Sequence, residues 1–264
     1  MLKRLKQWLG IERPRPVVDD EVWQRVESNL PFLDFLPTPD RRRLRDLALD
    51  LLAVKECHGA QGLELTDEVL LGVALQASLP VLNIGLEAYR GWVGIIVYPG
   101  DFVIPRHVVD EAGVVHDYND EVLGEAWSGG PVLVSWFGGH HPVGVNVVIH
   151  EFAHKLDMAN GEADGFPPLP ARMSRRDWAA AFTPAYEALC VQVDAGLAPA
   201  LDPYASENPG EFFAVASEAF FETPGLLQNA FPAVYDQLKS YYDLDPAAGQ
   251  ARLIQAQDLR RDAT

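Results

Sequence analysis

The chain has 264 residues, 48% hydrophobic and 22% charged, with 38 acidic side chains against 21 basic ones and a net charge of −17. Such a composition can bury a sizeable core, while so acidic a surface repels nucleic-acid phosphates and anionic lipid and argues against direct nucleic-acid binding. Cys57 and Cys190 are the only cysteines; two in a chain this long do not make a disulfide framework, and a reduced, cytoplasmic setting is expected.

The N-terminal "MLKRLKQWLG" is basic and amphipathic but lacks the apolar centre and small-residue cleavage site of a signal peptide. A peripheral helix over residues 1–15 is expected, without stable membrane insertion, because no apolar run approaches the roughly 20 residues that span a bilayer. The first third reads as helical. "PDRRRLRDLALDLLAVKECHGA" starts at Pro39-Asp40 and carries Leu44, Leu47, Leu51, Leu52 and Val54 at helical spacing. "LTDEVLLGVALQASLPVL" follows, with Thr66 as a candidate N-cap.

The middle is β-rich. "WVGIIVYPGDFVIP" (92–105) and "PVLVSWF" (131–137) are β-branched and aromatic runs bounded by Gly and Pro, which predicts strands. The polar, glycine-punctuated segment 106–130 between them predicts a turn or short strands, and 161–172 is a Gly- and Pro-crowded loop. Three helices then follow within 177–196, 208–224 and 231–246, and residues 250–264 read as a tail. There is no repeat and no low-complexity linker, so one α+β, mostly helical domain over 1–264 is expected.

The chemistry is concentrated in "VNVVIHEFAHKLDMANG" (145–161), which contains His150, Glu151 and His154 in the pattern H-E-x-x-H. Residues four apart on a helix lie about 40° from each other around the axis, so both imidazoles can reach one cation. Glu151 is about 100° away, placed to serve as a base towards water rather than as a ligand. The bland alternative is a surface histidine pair with a solvated glutamate. Val147, Val148, Ile149 and Phe152 argue against it, since they predict a buried helix, and buried histidines need partners.

Catalytic zinc takes three protein ligands and keeps one position open. A metzincin would supply the third through H-E-x-x-H-x-x-G-x-x-H, but Asp157 and Asn160 stand where that pattern needs Gly and His. Asp157 instead suits hydrogen bonding to a ligand histidine or to neighbouring backbone. In "ENPGEFFAVASEAFFETP", Asn208-Pro209 marks a helix start, and Glu211 and Glu218 fall on one stripe of a Phe-rich helix. Glu211 could merely complement the helix dipole and Glu218 could be exposed; with a histidine pair lacking a third ligand, Glu211 is preferred as that ligand and Glu218 as its supporting partner. Tyr204, on the loop entering this helix, is open to two readings: a hydroxyl donor to an oxyanion, or an aromatic staple.

Together "VVIHEFAHKLDMANG" and "YASENPGEFFAVASEAFF" resemble the Mlc titration factor A family of bacterial zinc-dependent peptidases, and "GLEAYRGWVGIIVYPGDFVI", "GVVHDYND" and "GPVLVSWF" extend the resemblance over most of the chain. The spacing of Tyr204 and Glu211 is also similar to the catalytic domain of anthrax lethal factor, a gluzincin-type metallopeptidase. The resemblance implies a zincin-like core with a small sheet beside the metal helix. It implies one Zn2+ per chain on His150, His154 and Glu211, with Glu151 as base and Tyr204 as transition-state donor. It further associates His116 with the metal, as a gating ligand, the alternative being a loop histidine with no metal role. An aminopeptidase-like action on short peptides is implied, as is binding to a transcriptional repressor of the Mlc type that regulates sugar-uptake genes. The competing reading is a regulator-sequestering protein whose zinc is structural or vestigial. His140-His141 has no place in the family pattern.

Overall fold

The computed structural model describes the backbone of residues 17–109, 115–137 and 144–261, with side chains apart from those of 103–122, 257–258 and 260–261. The expectations for residues 1–15 and for His140 and His141 lie outside the described residues.

Helix α1 (Asp20–Ser28) and a 3-10 turn (Pro31–Phe35) lead into α2 (Thr38–Val54). The expected continuation of α2 through "KECHGA" is incorrect: Lys55 is already extended (φ −104°, ψ 154°) and Glu56–Gly59 form strand β1. The Lys55 ammonium donates to the carbonyls of Tyr89 and Trp92 at 2.6 and 2.7 Å. Those bonds draw the chain alongside its sheet neighbour, a tertiary cause that a four-residue polar strand does not advertise. Helix α3 (Asp67–Ser78) starts as expected, with Thr66 accepting from the Val69 amide.

The expected strand over 92–105 is instead two strands in different sheets. β2 (Gly94–Tyr98) pairs in parallel with β1 and with β6 (Val132–Ser135), and β5 (Gly124–Ala126) closes the order β1-β2-β6-β5 as an antiparallel edge. β3 (Phe102–Val109) and β4 (Val115–Val122) form a separate antiparallel pair. Pro99, which cannot donate to a ladder, interrupts the run between β2 and β3.

Helix α4 (Val147–Asp157) packs against β5 and β6 on one side and α6 (Pro209–Glu222) on the other. All eleven residues of α4 are buried, including five that are polar or charged. The core is completed by α5 (Arg175–Asp194), α7 (Pro224–Ala230), α8 (Pro232–Tyr242) and α9 (Pro246–Arg261), the last taking in most of the expected tail. Trp178 of α5 stacks on Phe182 with centroids 4.1 Å apart and lies against Phe213 of α6 and Tyr241 of α8. Burying each such ring contributes on the order of 1.5–3 kcal/mol, enough together to fix α6, which carries Glu211, against α5 and α8. The fold is α+β and mostly helical.

Candidate metal centre

Two capped helices deliver the site. Asn146 caps α4 by accepting from the Ile149 amide at 3.0 Å, and Asn208 caps α6 by accepting from the Glu211 amide at 3.0 Å, with Pro209 in the first turn. Their crossing brings His150 Nε2 and His154 Nε2 to 3.1 Å from each other and to 3.0 and 3.1 Å from Glu211 Oε2. Among the described residues this is the one set of three or more His, Cys, Asp or Glu side chains that could hold a metal.

The donor chemistry of this set fits a cation. Glu218 Oε1 lies 2.7 Å from His150 Nδ1; a carboxylate only accepts, so that nitrogen carries the proton. In neutral His150 the Nε2 lone pair then faces the Glu211 carboxylate, two acceptors at 3.0 Å. Such a pair needs a positive charge between its members. Burial disfavours protonation of His150, but hydrogen bonds to Glu211 and Glu218 outweigh it and hold its pKa well above the ordinary histidine value. Burial likewise works against charged Glu211, yet the two histidines bring it down to about 2. Burial holds the His154 pKa below the ordinary histidine value, with the hydrogen bond to Glu211 opposing. Two nitrogens and one oxygen make a donor set that suits zinc.

Glu151 is buried, and its Oε2 has no hydrogen-bond partner among the described residues. Its pKa is pushed up to about 8, mainly by burial, with His150 opposing and Glu211, Glu218 and Glu125 adding to the rise. The three converging side chains, Glu151 and Tyr204 line one open cavity of about 470 Å³, with β5 along one wall and Asn208-Pro209 along another. Tyr204 sits on a 3-10 turn (Pro203–Ser206), half exposed, with its ring centroid 6.0 Å from that of His150.

The sequence is similar to known proteins over most of its length. Residues 3–243 match the model of the glucose-regulated metallo-peptidase M90 family. The chain belongs to that family. It is 37% identical over 237 residues to Mlc titration factor A of Serratia proteamaculans, covering 88% of this chain and 90% of that protein. It is also 37% identical over 234 residues to Mlc titration factor A of Pectobacterium atrosepticum, covering 86% and 88%. The likeness to Mlc titration factor A of Yersinia pestis is again 37%, over 226 residues and 83% of each chain.

Within this M90 metallopeptidase chain, the supporting residues divide into expected and unexpected. Glu218 contacts His150, and its second oxygen accepts from the Asn146 amide at 2.5 Å. Asp157 turns to backbone rather than to a histidine, accepting from Gly165 N at 2.7 Å, and burial pushes its pKa to about 7. His116 lies on β4 opposite Val108, and its expected approach to the metal falls outside the described side chains. Sequence reasoning missed Asn146, whose amide donates to Gln76 Oε1 and Glu222 Oε1 at 2.8 and 2.7 Å and so ties α3 and α6 to the start of the metal helix. An Asn immediately before an apolar helical run was the available signal. It also missed Gly165, where φ is +76° and an added Cβ would meet the Pro209 carbonyl oxygen at 2.5 Å.

Proposed function

We propose that this protein is a zinc-dependent peptidase acting on short peptides with an aminopeptidase-like preference, and that residues 1–264 form one metallopeptidase domain. The observation that carries the reading is the convergence of His150 Nε2, His154 Nε2 and Glu211 Oε2, with the Glu151 carboxyl in the same cavity.

His150, His154 and Glu211 would hold the ion. Zinc in that set supplies Lewis acidity towards water and a scissile carbonyl. Glu218 keeps the His150 proton on Nδ1, leaving the Nε2 lone pair directed at the ion. Glu151 takes a proton onto its carboxylate and returns it to the departing amine nitrogen, work suited to a carboxyl whose pKa lies near neutrality. Tyr204, which lines the same cavity, would offer its hydroxyl to the developing oxyanion. His116 is assigned as a gating ligand: β4 leads through Leu123 directly into the β5 wall of the cavity.

The relatives are named for titrating Mlc, and a second capacity, binding of a transcriptional repressor of the Mlc type, is proposed here on that name. A cytoplasmic location is proposed with it, in keeping with a chain that has only two cysteines, Cys57 and Cys190. No helix among the described residues is long and apolar enough to cross a membrane. The test is metal content measured together with hydrolysis of aminoacyl and peptide reporters, with and without chelator. One zinc per chain and chelator-sensitive turnover support the peptidase. Stoichiometric zinc with no turnover, and repressor binding that survives Glu151→Gln, would favour the sequestering protein instead.

A further inference from the structure

We propose that Gly124 is a positioning residue for the Glu151 carboxyl: the edge strand lacks a side chain at this place so that the base can occupy the space. The proposal rests on the reading of Glu151 as the proton acceptor.

Gly124 opens β5 and pairs with Val134 of β6, inside a regular antiparallel register that continues Glu125 with Leu133 and Ala126 with Val132. Its backbone does not require glycine, since it is not among the residues with positive φ. A glycine inside a strand weakens it and, with ordinary backbone angles, marks a close approach by another group. That group is Glu151. A Cβ on Gly124 would stand 2.4 Å from Glu151 Oε1, 2.6 Å from its Cγ and 2.8 Å from its Cδ. All three contacts belong to the Glu151 side chain, and among the described residues no other is as close.

Neither partner can retreat easily. Glu151 is 4% exposed, and its Cγ and Cδ as well as the carboxyl tip lie within 3 Å of the added atom, so relief requires the whole side chain to shift towards the cavity that it lines. β5 is fixed in turn by the residue after His154: Lys155 Nζ donates to the Trp127 and Gly130 carbonyls at 2.5 and 2.9 Å, tying the β5–β6 turn to α4. The strand is thereby fastened to the metal helix at the turn and touches it at Gly124. A methyl group at 124 has to push the carboxyl away from the strand, and a misplacement near 1 Å can cost on the order of a hundredfold in rate.

The experiment compares wild type, Gly124→Ala, Glu151→Ala and the double variant, each zinc-loaded, with Glu151→Gln as the reference for loss of the base. Melting temperature and bound zinc are read beside kcat and KM for an aminoacyl-nitroanilide reporter. Gly124→Ala should keep one zinc per chain, melt below wild type and lose about ten- to a hundredfold in kcat, with KM little changed. In the Glu151→Ala background, where the carboxyl is gone, adding alanine at 124 should cost no melting temperature. An equal melting loss in both backgrounds, or an undiminished kcat in Gly124→Ala, overturns the proposal. Turnover surviving in Glu151→Gln, or absent from wild type, overturns the assignment of Glu151 as base; the melting comparison then decides the contact separately.

Discussion

Nδ1 of His150 and Oε1 of Glu218 lie 2.7 Å apart, across the crossing of α4 and α6, and this contact fixes which nitrogen of the imidazole is left for a metal. The other Glu218 oxygen accepts from the backbone amide of Asn146, so a single carboxylate orients the His150 ring and anchors the helix that carries it. In Glu218→Gln one of the two contacts becomes donor against donor. Zinc affinity, read by competition with a chromophoric chelator, should fall by about ten- to a hundredfold.

Asn146 is the hub behind that contact. Asn146→Ala removes an N-cap, typically worth about 1 kcal/mol. It also leaves buried Gln76 and half-buried Glu222 without this partner, at about 1–3 kcal/mol for a buried group left unpaired. Denaturant unfolding should show a loss of at least about 2 kcal/mol, whereas Asn146→Asp, which keeps the acceptor for Ile149 but places a third acid beside Glu218 and Glu222, should not restore it.

Gly165 holds the loop after the metal helix against the start of α6. Alanine there meets both an unfavourable positive φ and the Pro209 carbonyl. Gly165→Ala should therefore destabilise the fold by more than about 1 kcal/mol and weaken zinc binding as well, because Pro209 lies two residues before Glu211. Unchanged zinc affinity would show that the loop does not set the position of the third ligand.

Asp157 gives a pH signature with a definite sign. Burial raises its pKa from 3.8 to about 7, opposed by the Gly165 and Phe166 amides and reinforced by Asp164; Tyr241 and Tyr242 also face it. The folded state therefore holds this proton more tightly than the unfolded state does. The stabilisation is fully present below pH 3.8 and is lost as pH rises through about 7. Asp157→Asn mimics the protonated form, so its unfolding free energy minus that of wild type should grow across this window. A flat difference would contradict the shift.

Much of this was legible in the sequence because it is local. The H-E-x-x-H spacing, the Asn208-Pro209 helix start and the acidic stripe of Glu211 and Glu218 are periodic features of single helices, and burial of α4 follows from Val147, Val148, Ile149 and Phe152. What escaped was decided by partners distant in the chain. β1 is a strand because Lys55 and Glu56 bond to carbonyls between residues 89 and 93. The 92–105 run divides because its halves find different sheets. Gly124 and Gly165 look like ordinary turn punctuation until Glu151 and Pro209 are seen against them. Asp157 was expected near a histidine or backbone, and only the fold of the 161–168 loop decides for the Gly165 amide.

The central claim is that Glu151 moves the proton at a metal held by His150, His154 and Glu211. The most direct measurement is zinc stoichiometry and chelator-sensitive hydrolysis of short peptide reporters by Glu151→Gln. One zinc per chain with turnover reduced by at least about a hundredfold is the expected result. Full zinc with undiminished turnover would contradict the account.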